Sequence, residues 1–188
     1  LGTDAGAAWS IFWKLDGIYW PVSNAIGITV MTFTGQNYGA RQPERIRKII
    51  RTGLGMHLGF SALFSLTLFL TRYLTVRCFT DDPAVIAEGV DITWHIAPTF
   101  VLYVCIEILS GALRGTGDSL VPMIMTCVGV CLLRVVWILA VAPHFNTVAW
   151  TLYSYPVSWG VTSVLFIAYY LQGGWLKRRK KAMGFAVE

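Results

Sequence analysis

Two charged side chains stand alone inside long apolar stretches, and they are the residues best placed to do chemistry. Glu107 is the one Asp, Glu, Lys or Arg between Ile92 and Leu113, and Arg134 is the one between Ser119 and Val141. A carboxylate among lipid-facing helices is costly, so it turns toward the bundle interior or water and there binds a proton or a cation. Tyr103, Glu107, Gly111 and Arg114 follow an i, i+4, i+8, i+11 pattern and share one helical face. The plainer alternative for Glu107 is a structural carboxylate hydrogen-bonded to a neighbouring helix. Depth argues against pairing the two charges. At 1.5 Å per residue, Glu107 lies about 10 Å from the end of its helix near Arg114, and Arg134 about 24 Å from that same side. The expectation is an unpaired Glu107, and an Arg134 that meets Asp16, Asp91 or helix-end carbonyls in the opposite half. Asn24 is polar within the first apolar stretch and suits a hydrogen bond across helices, while Gln36 and Asn37 read as helix-end residues.

Other chemistries find no support. His57, His95 and His144 are scattered without metal-ligand spacing. No Ser/His/Asp set, phosphate loop or paired-acid motif occurs, so no catalytic, cofactor-binding or metal residues are assigned. Of four cysteines, Cys105, Cys127 and Cys131 fall in apolar runs and Cys78 has no evident mate, which reads as structural thiols.

The elements that must hold these residues follow from composition. Of 188 residues, 55% are hydrophobic and only 13% charged, about half the charge that a soluble domain carries. Mean hydropathy is +0.59. Gly17 to Ala40 and Thr52 to Thr71 contain no Asp, Glu, Lys or Arg, and a crossing needs about 20 residues. The pattern predicts an all-α, polytopic transmembrane bundle over 1–176 with five spans, at about 12–39, 52–72, 90–113, 119–142 and 148–175. A basic tail, 177–188, follows. No segment alternates as an outer-membrane strand does.

The net charge of +5 is distributed as in a membrane protein, not as on a nucleic-acid surface. Arg41, Arg45, Arg47, Lys48 and Arg51, the run Lys177 to Lys181, and Arg114 put eleven basic residues on one side. That asymmetry makes this side cytoplasmic, tail included. Five spans then leave the first residues outside, and the start Leu-Gly-Thr-Asp without an initiator Met points to a fragment whose earlier spans are missing. The pairs Gly35 and Gly39, Gly55 and Gly59, and Gly111 and Gly115 are each four apart, spacing that lets helix backbones approach. Pro21, Pro98, Pro122 and Pro156 punctuate the spans, and Trp13, Trp20, Trp94, Trp150 and Trp175 fall near predicted boundaries as an aromatic belt.

Two longer motifs sharpen the reading. The first span ends Gly35-Gln36-Asn37-Tyr38-Gly39-Ala40. The third ends Gly111-Ala112-Leu113-Arg114-Gly115-Thr116-Gly117-Asp118-Ser119, followed by Val121-Pro122-Met123. Both resemble signatures of the MATE (multidrug and toxic compound extrusion) family, in the same order, and Arg134 to Trp137 and Ser154 to Trp159 resemble later helices of bacterial members. The resemblance covers nearly the whole chain. It implies the eighth to twelfth helices of a two-lobed, twelve-helix antiporter, most of one lobe, with an N-terminal lobe missing. Members export cationic or amphipathic drugs and xenobiotics from the cell in exchange for Na⁺ or H⁺, by alternating access. It also implies a structural hinge at Arg114, Gly115 and Gly117. Family ion sites use acids of the seventh and tenth helices, and the tenth-helix acid falls one turn before Glu107, at Tyr103. Glu107 is then a candidate substitute, with Tyr103, Arg134 and Asn24 as further ion or substrate candidates. The rival readings are a lipid-linked oligosaccharide flippase of the same superfamily, or a membrane-embedded enzyme or structural subunit.

The orientation is open to test. A cysteine placed at Asn146 should be labelled by an impermeant reagent on intact cells, and one placed at Arg178 should be spared. The reverse pattern would sink the orientation.

Overall fold

The computed structural model describes residues 3–144, 148–173 and Trp175. The basic run Lys177 to Lys181, the tail 177–188 and Asn146 lie outside the described residues. Within them the backbone forms five helical rods. The first two are α1 (Thr3–Gly39) and α2 (Pro43–Arg77). The third joins α3 (Pro83–Ile96) through a 3₁₀ turn, Ala97–Thr99, to α4 (Phe100–Gly115). The fourth runs from α5 (Leu120–Thr126) through a π-helical stretch Cys127–Leu132, α6 (Leu133–Val136), a second π stretch Trp137–Val141 and a 3₁₀ turn Ala142–His144. The last comprises α7 (Val148–Leu152) and α8 (Ser154–Leu171). No strand occurs among the described residues. Helices are what lipid demands, because each backbone N–H and C=O must find its partner within the segment. Pro43–Arg77, Pro83–Gly115 and Leu120–Val141 are long and apolar enough to cross a bilayer.

The helices outrun the apolar stretches that announced them. Residues 43–51, expected as a basic loop, are the opening turns of α2. Pro43 occupies the first turn, where no N–H is needed, and Glu44 there sits 3.6 Å from Arg47. A helix can run on past the bilayer into water, where its charged turns are solvated, so hydropathy marks the membrane part of a helix and not its ends. Pro98 lies in the 3₁₀ turn between α3 and α4, where its missing N–H and ring tighten the helix without breaking it.

α1 and α4 cross at a seam of small residues, and the neighbours of each glycine show why no larger residue would serve. A Cβ on Gly111 would lie 2.8 Å from the Gly27 carbonyl oxygen. One on Gly35 would lie 3.2 Å from the Gly115 carbonyl oxygen, and one on Gly115 would run into the Met31 carbonyl oxygen. Gly35, Gly111 and Gly115 thus do what their spacing predicts. Gly39, Gly55 and Gly59 do not, having no neighbour within 4 Å of a Cβ, whereas Gly27 and Gly53 pack tightly outside any of the three pairs.

The chain leaves α4 by a hydrogen-bonded stop. Gly117 N–H donates to the Arg114 carbonyl at 3.0 Å, and Asp118 N–H to that of Leu113 at 3.0 Å. Gly117 takes φ +83°, the left-handed turn that glycine adopts without strain. The two glycines flanking Thr116 therefore serve different needs: close approach at 115, left-handed backbone at 117. α1 ends with the same pattern, Gln42 N–H donating to the Asn37 carbonyl at 2.9 Å, but Arg41 fills the left-handed position at φ +55°.

The aromatic belt is only partly as expected. Trp13 and Trp94 are exposed, but Trp20 turns inward, meeting Tyr19 edge-on at 5.3 Å, and Trp175 is buried.

Gly115→Leu should destabilise the detergent-solubilised protein by about 1–3 kcal/mol through overpacking of the seam. Gly59→Leu should change it by less than about 0.5 kcal/mol. Thermal unfolding of the two variants side by side checks this, and equal losses would remove the seam from the account.

Candidate functional site

Glu107 is deeply buried, with its side chain laid over the bare backbone of Gly27 on α1. A methyl group at position 27 would occupy the space of the carboxylate, so the α1–α4 seam also shapes the floor of the site. Its outer edge opens on a cleft of about 510 Å³ between α1, α4 and the start of α5, lined by Asn24, Tyr103, Glu107, Ser110 and Arg114 among others. Three of the four ion or substrate candidates, Asn24, Tyr103 and Glu107, therefore meet in one place.

The expectation that Glu107 is unpaired needs correction. Arg114 Nη2 lies 3.9 Å from Glu107 Oε1 and donates to Ser110 Oγ at 3.4 Å. Cα depth placed the two residues two turns apart, but helical side chains lean toward the N-terminus, and a long guanidinium reaches back along its own helix. The pair is uneven: the Arg114 side chain is 44% exposed and that of Glu107 only 9%. Arg114 is thus an accessible cation above a sunken acid, in addition to its place at the helix stop.

Arg134 stands apart from this cleft, and its partners also differ from those expected. The two π-helical stretches flank α6, so Arg134 projects from a helix widened on both sides. Such insertions re-aim side chains. Gly129 in the first stretch lets this rod press against Thr162 of α8. The guanidinium lies over the Tyr155 ring, 4.0 Å from its centroid, with the Trp159 ring centroid at 5.9 Å, and Nη2 donates to Ser158 Oγ at 3.2 Å. Asp91 instead approaches His95 at 3.5 Å, and Asp16 accepts from Trp20 Nε1 at 2.6 Å. The aromatic faces of α8 take the place of a carboxylate, a choice that sequence depth does not show.

One buried network escaped the sequence reading. Tyr19 and His57 are both fully buried. The Tyr19 hydroxyl lies 2.9 Å from Ser61 Oγ and 3.4 Å from His57 Nε2, and within 3.3 Å of the Phe100 carbonyl oxygen. Phe60, Phe64 and Phe100 pack round its ring. His57 and Ser61 sit four residues apart on α2, a spacing that could have flagged a polar face, but nothing local to Tyr19 announces its partners.

Helices long enough to cross a bilayer, packed through glycine, with charged groups turned into internal clefts, define a polytopic integral membrane protein. The chain belongs to the MatE family, whose model matches residues 1–139. It is 30% identical over 184 residues to a probable multidrug resistance protein NorM of Aromatoleum aromaticum, covering 95% of this chain and 38% of that protein. It is 27% identical over 181 residues to a probable NorM of Thermotoga maritima, covering 94% and 38%. The multidrug resistance protein PmpM of Pseudomonas aeruginosa is 28% identical over 127 residues, 67% of this chain and 26% of that protein. The chain thus spans about two fifths of the length of the first two relatives.

Tyr19→Phe should leave Ser61 Oγ without its partner in the interior and cost about 1–3 kcal/mol. Tyr73→Phe, at a ring 57% exposed, should be neutral. Denaturation of both variants in detergent checks this, and a neutral Tyr19→Phe would show the network to be dispensable.

Proposed function

We propose that this chain is part of a secondary active transporter that expels cationic or amphipathic drugs and xenobiotics from the cell in exchange for Na⁺ or H⁺. The observation that carries this reading is Glu107: a sunken carboxylate, on the face of α4 that meets α1, opening on a cleft with Asn24, Tyr103 and Arg114. In this proposal Glu107 takes the place of the family's tenth-helix acid and binds the coupling ion. Its floor is the α1–α4 seam, so an ion or proton taken up at Glu107 alters the electrostatics of a helix crossing, and ion and drug favour different helix arrangements. Arg114 is the internal counter-charge that faces Glu107 when no ion is present. The relatives, multidrug resistance proteins by name, support the substrate class. In this reading the protein lies in the plasma membrane, bacterial inner membrane included, with the basic tail cytoplasmic and Na⁺ or H⁺ as the only non-protein requirement. The bundle works against the N-terminal lobe of the same polypeptide. It is a transporter and not an enzyme.

Glu107→Gln keeps shape and hydrogen bonding but removes charge and titration. In the full-length transporter it should insert at normal abundance and lose at least tenfold of ion-driven dye export, equivalent to about 1.4 kcal/mol or more of coupling. Export unchanged at normal abundance would remove Glu107 from the mechanism. Loss of abundance with loss of export would make it a structural acid.

A further inference from the structure

α1 and α2 run antiparallel: Val30 meets Gly53 and, further along, Tyr19 meets Ser61. A groove of about 490 Å³ opens between them, with the buried Val30 and Gly53 on its lining. Its α1 wall runs from Val22 to Phe33, about 16 Å at 1.5 Å per residue. That is the depth of one leaflet, half of a hydrocarbon core about 30 Å thick. The wall is apolar in effect even where a hydroxyl stands in it, since Thr29 Oγ1 donates back to the Ala25 carbonyl at 2.7 Å. Charge enters at one end. Lys48, at the Phe33 end, is the one charged residue among those that line the groove. Arg45 lies a turn nearer the helix start, on the face of Ile49, Thr52 and Met56 (i+4, i+7, i+11). From Arg41 to Arg51 there are five basic residues and one acid, Glu44, which lies 3.6 Å from Arg47.

Two kinds of occupant suit an apolar groove in a membrane bundle, a further helix and a lipid chain. A helix 10 Å across takes more than about 1,200 Å³ over the same 16 Å, so most of it would stand outside the groove. Its apolar side chains would also desolvate Lys48. A hydrocarbon chain is slim enough to lie within, and the lipid headgroup then falls at the charged end. We infer that this groove is a binding site for an anionic phospholipid, one acyl chain lying between α1 and α2 and the phosphate seated on Lys48, with Arg45 beside it. Selectivity comes from net charge. An anionic headgroup gains from the whole basic cluster, whereas a choline headgroup brings its own cation toward Lys48 and Arg45. The groove shares no lining residue with the Glu107 cleft, and the site goes beyond the export reading and stands independently of it.

The test uses the full-length protein in detergent micelles doped with equal amounts of phosphatidylglycerol and phosphatidylcholine bearing the same chains. Native mass spectrometry reads the most tightly held lipid. The unaltered protein should retain phosphatidylglycerol over phosphatidylcholine by at least about fivefold, a comparison that needs no variant to fold. Lys48→Gln should erase most of that preference while phosphatidylcholine retention stays the same. Ala25→Trp, which fills the groove from an exposed position, should displace both lipids, and Arg77→Gln at the far end of α2 should change neither. Equal retention of the two lipids by the unaltered protein would overturn the inference. So would a preference that survives Lys48→Gln and Ala25→Trp, because the lipid would then sit elsewhere on the basic surface. A preference lost in Lys48→Gln but kept in Ala25→Trp, or displaced by inorganic phosphate, would mean a site for the headgroup alone, and the groove would have no part in it.

Discussion

The close approach of α1 and α4 is the constraint from which the rest follows. Backbones meet where Gly27 faces Gly111 and Gly35 faces Gly115, so at this seam the two helices touch through main-chain atoms, and side chains such as Tyr19 and Phe100 pack beside it. Lipid tails are as apolar as leucine, and a hydrophobic drive toward association is missing there; close packing has to supply it. The seam sets the position of Glu107 over Gly27, brings Tyr19 into reach of α2 and α4, and leaves one edge of α4 free to form the cleft with Asn24. A change of one methyl group at Gly27 or Gly115 acts on packing and on the acid together.

The two clefts divide the polar chemistry of the chain by kind. Around Glu107 the polar lining is hydroxyl, amide, carboxylate and guanidinium. Around Arg134 a cleft is lined by the ring faces of Trp9, Trp20, Tyr103, Tyr155 and Trp159 together with Asp16. Because Tyr103 borders both, a shift in one wall is felt in the other without any long chain of intermediates.

What could be read from the sequence was what depends on local pattern. Five apolar runs gave five helical rods, the Gly111-to-Asp118 motif gave a helix stop with a left-handed glycine, and a lone carboxylate in an apolar run lies on the lining of a cleft. Readings failed where the answer lay in side-chain reach or helix rotation. The Arg114 contact depends on seven residues of rise being recovered by one flexible side chain. The Arg134 contacts depend on which face of α8 the rod presents, and two π-helical stretches set that face. Gly55 and Gly59 had the right spacing on the wrong side of α2. Spacing along a helix tells which residues share a face, but not which face meets a neighbour.

The widened turns on either side of Arg134 make that region a register device. A π-helical turn accommodates one more residue than an α-helical turn does. A π turn holds its extra residue with the helix beyond kept in register, so removing a single residue from Cys127–Leu132 would restore ordinary α-helix without turning Arg134. Removing one from Leu120–Thr126, with the wide turns retained, would instead swing everything downstream by about 100°. Arg134 would leave the ring of Tyr155 and point toward lipid, while the hydropathy of the span would scarcely change. Single-residue gaps in the α-helical turns ahead of the wide ones would therefore separate related chains that keep the charged, aromatic cleft from chains that have traded it for a smooth apolar wall, whereas a gap inside the wide turns would leave the cleft intact.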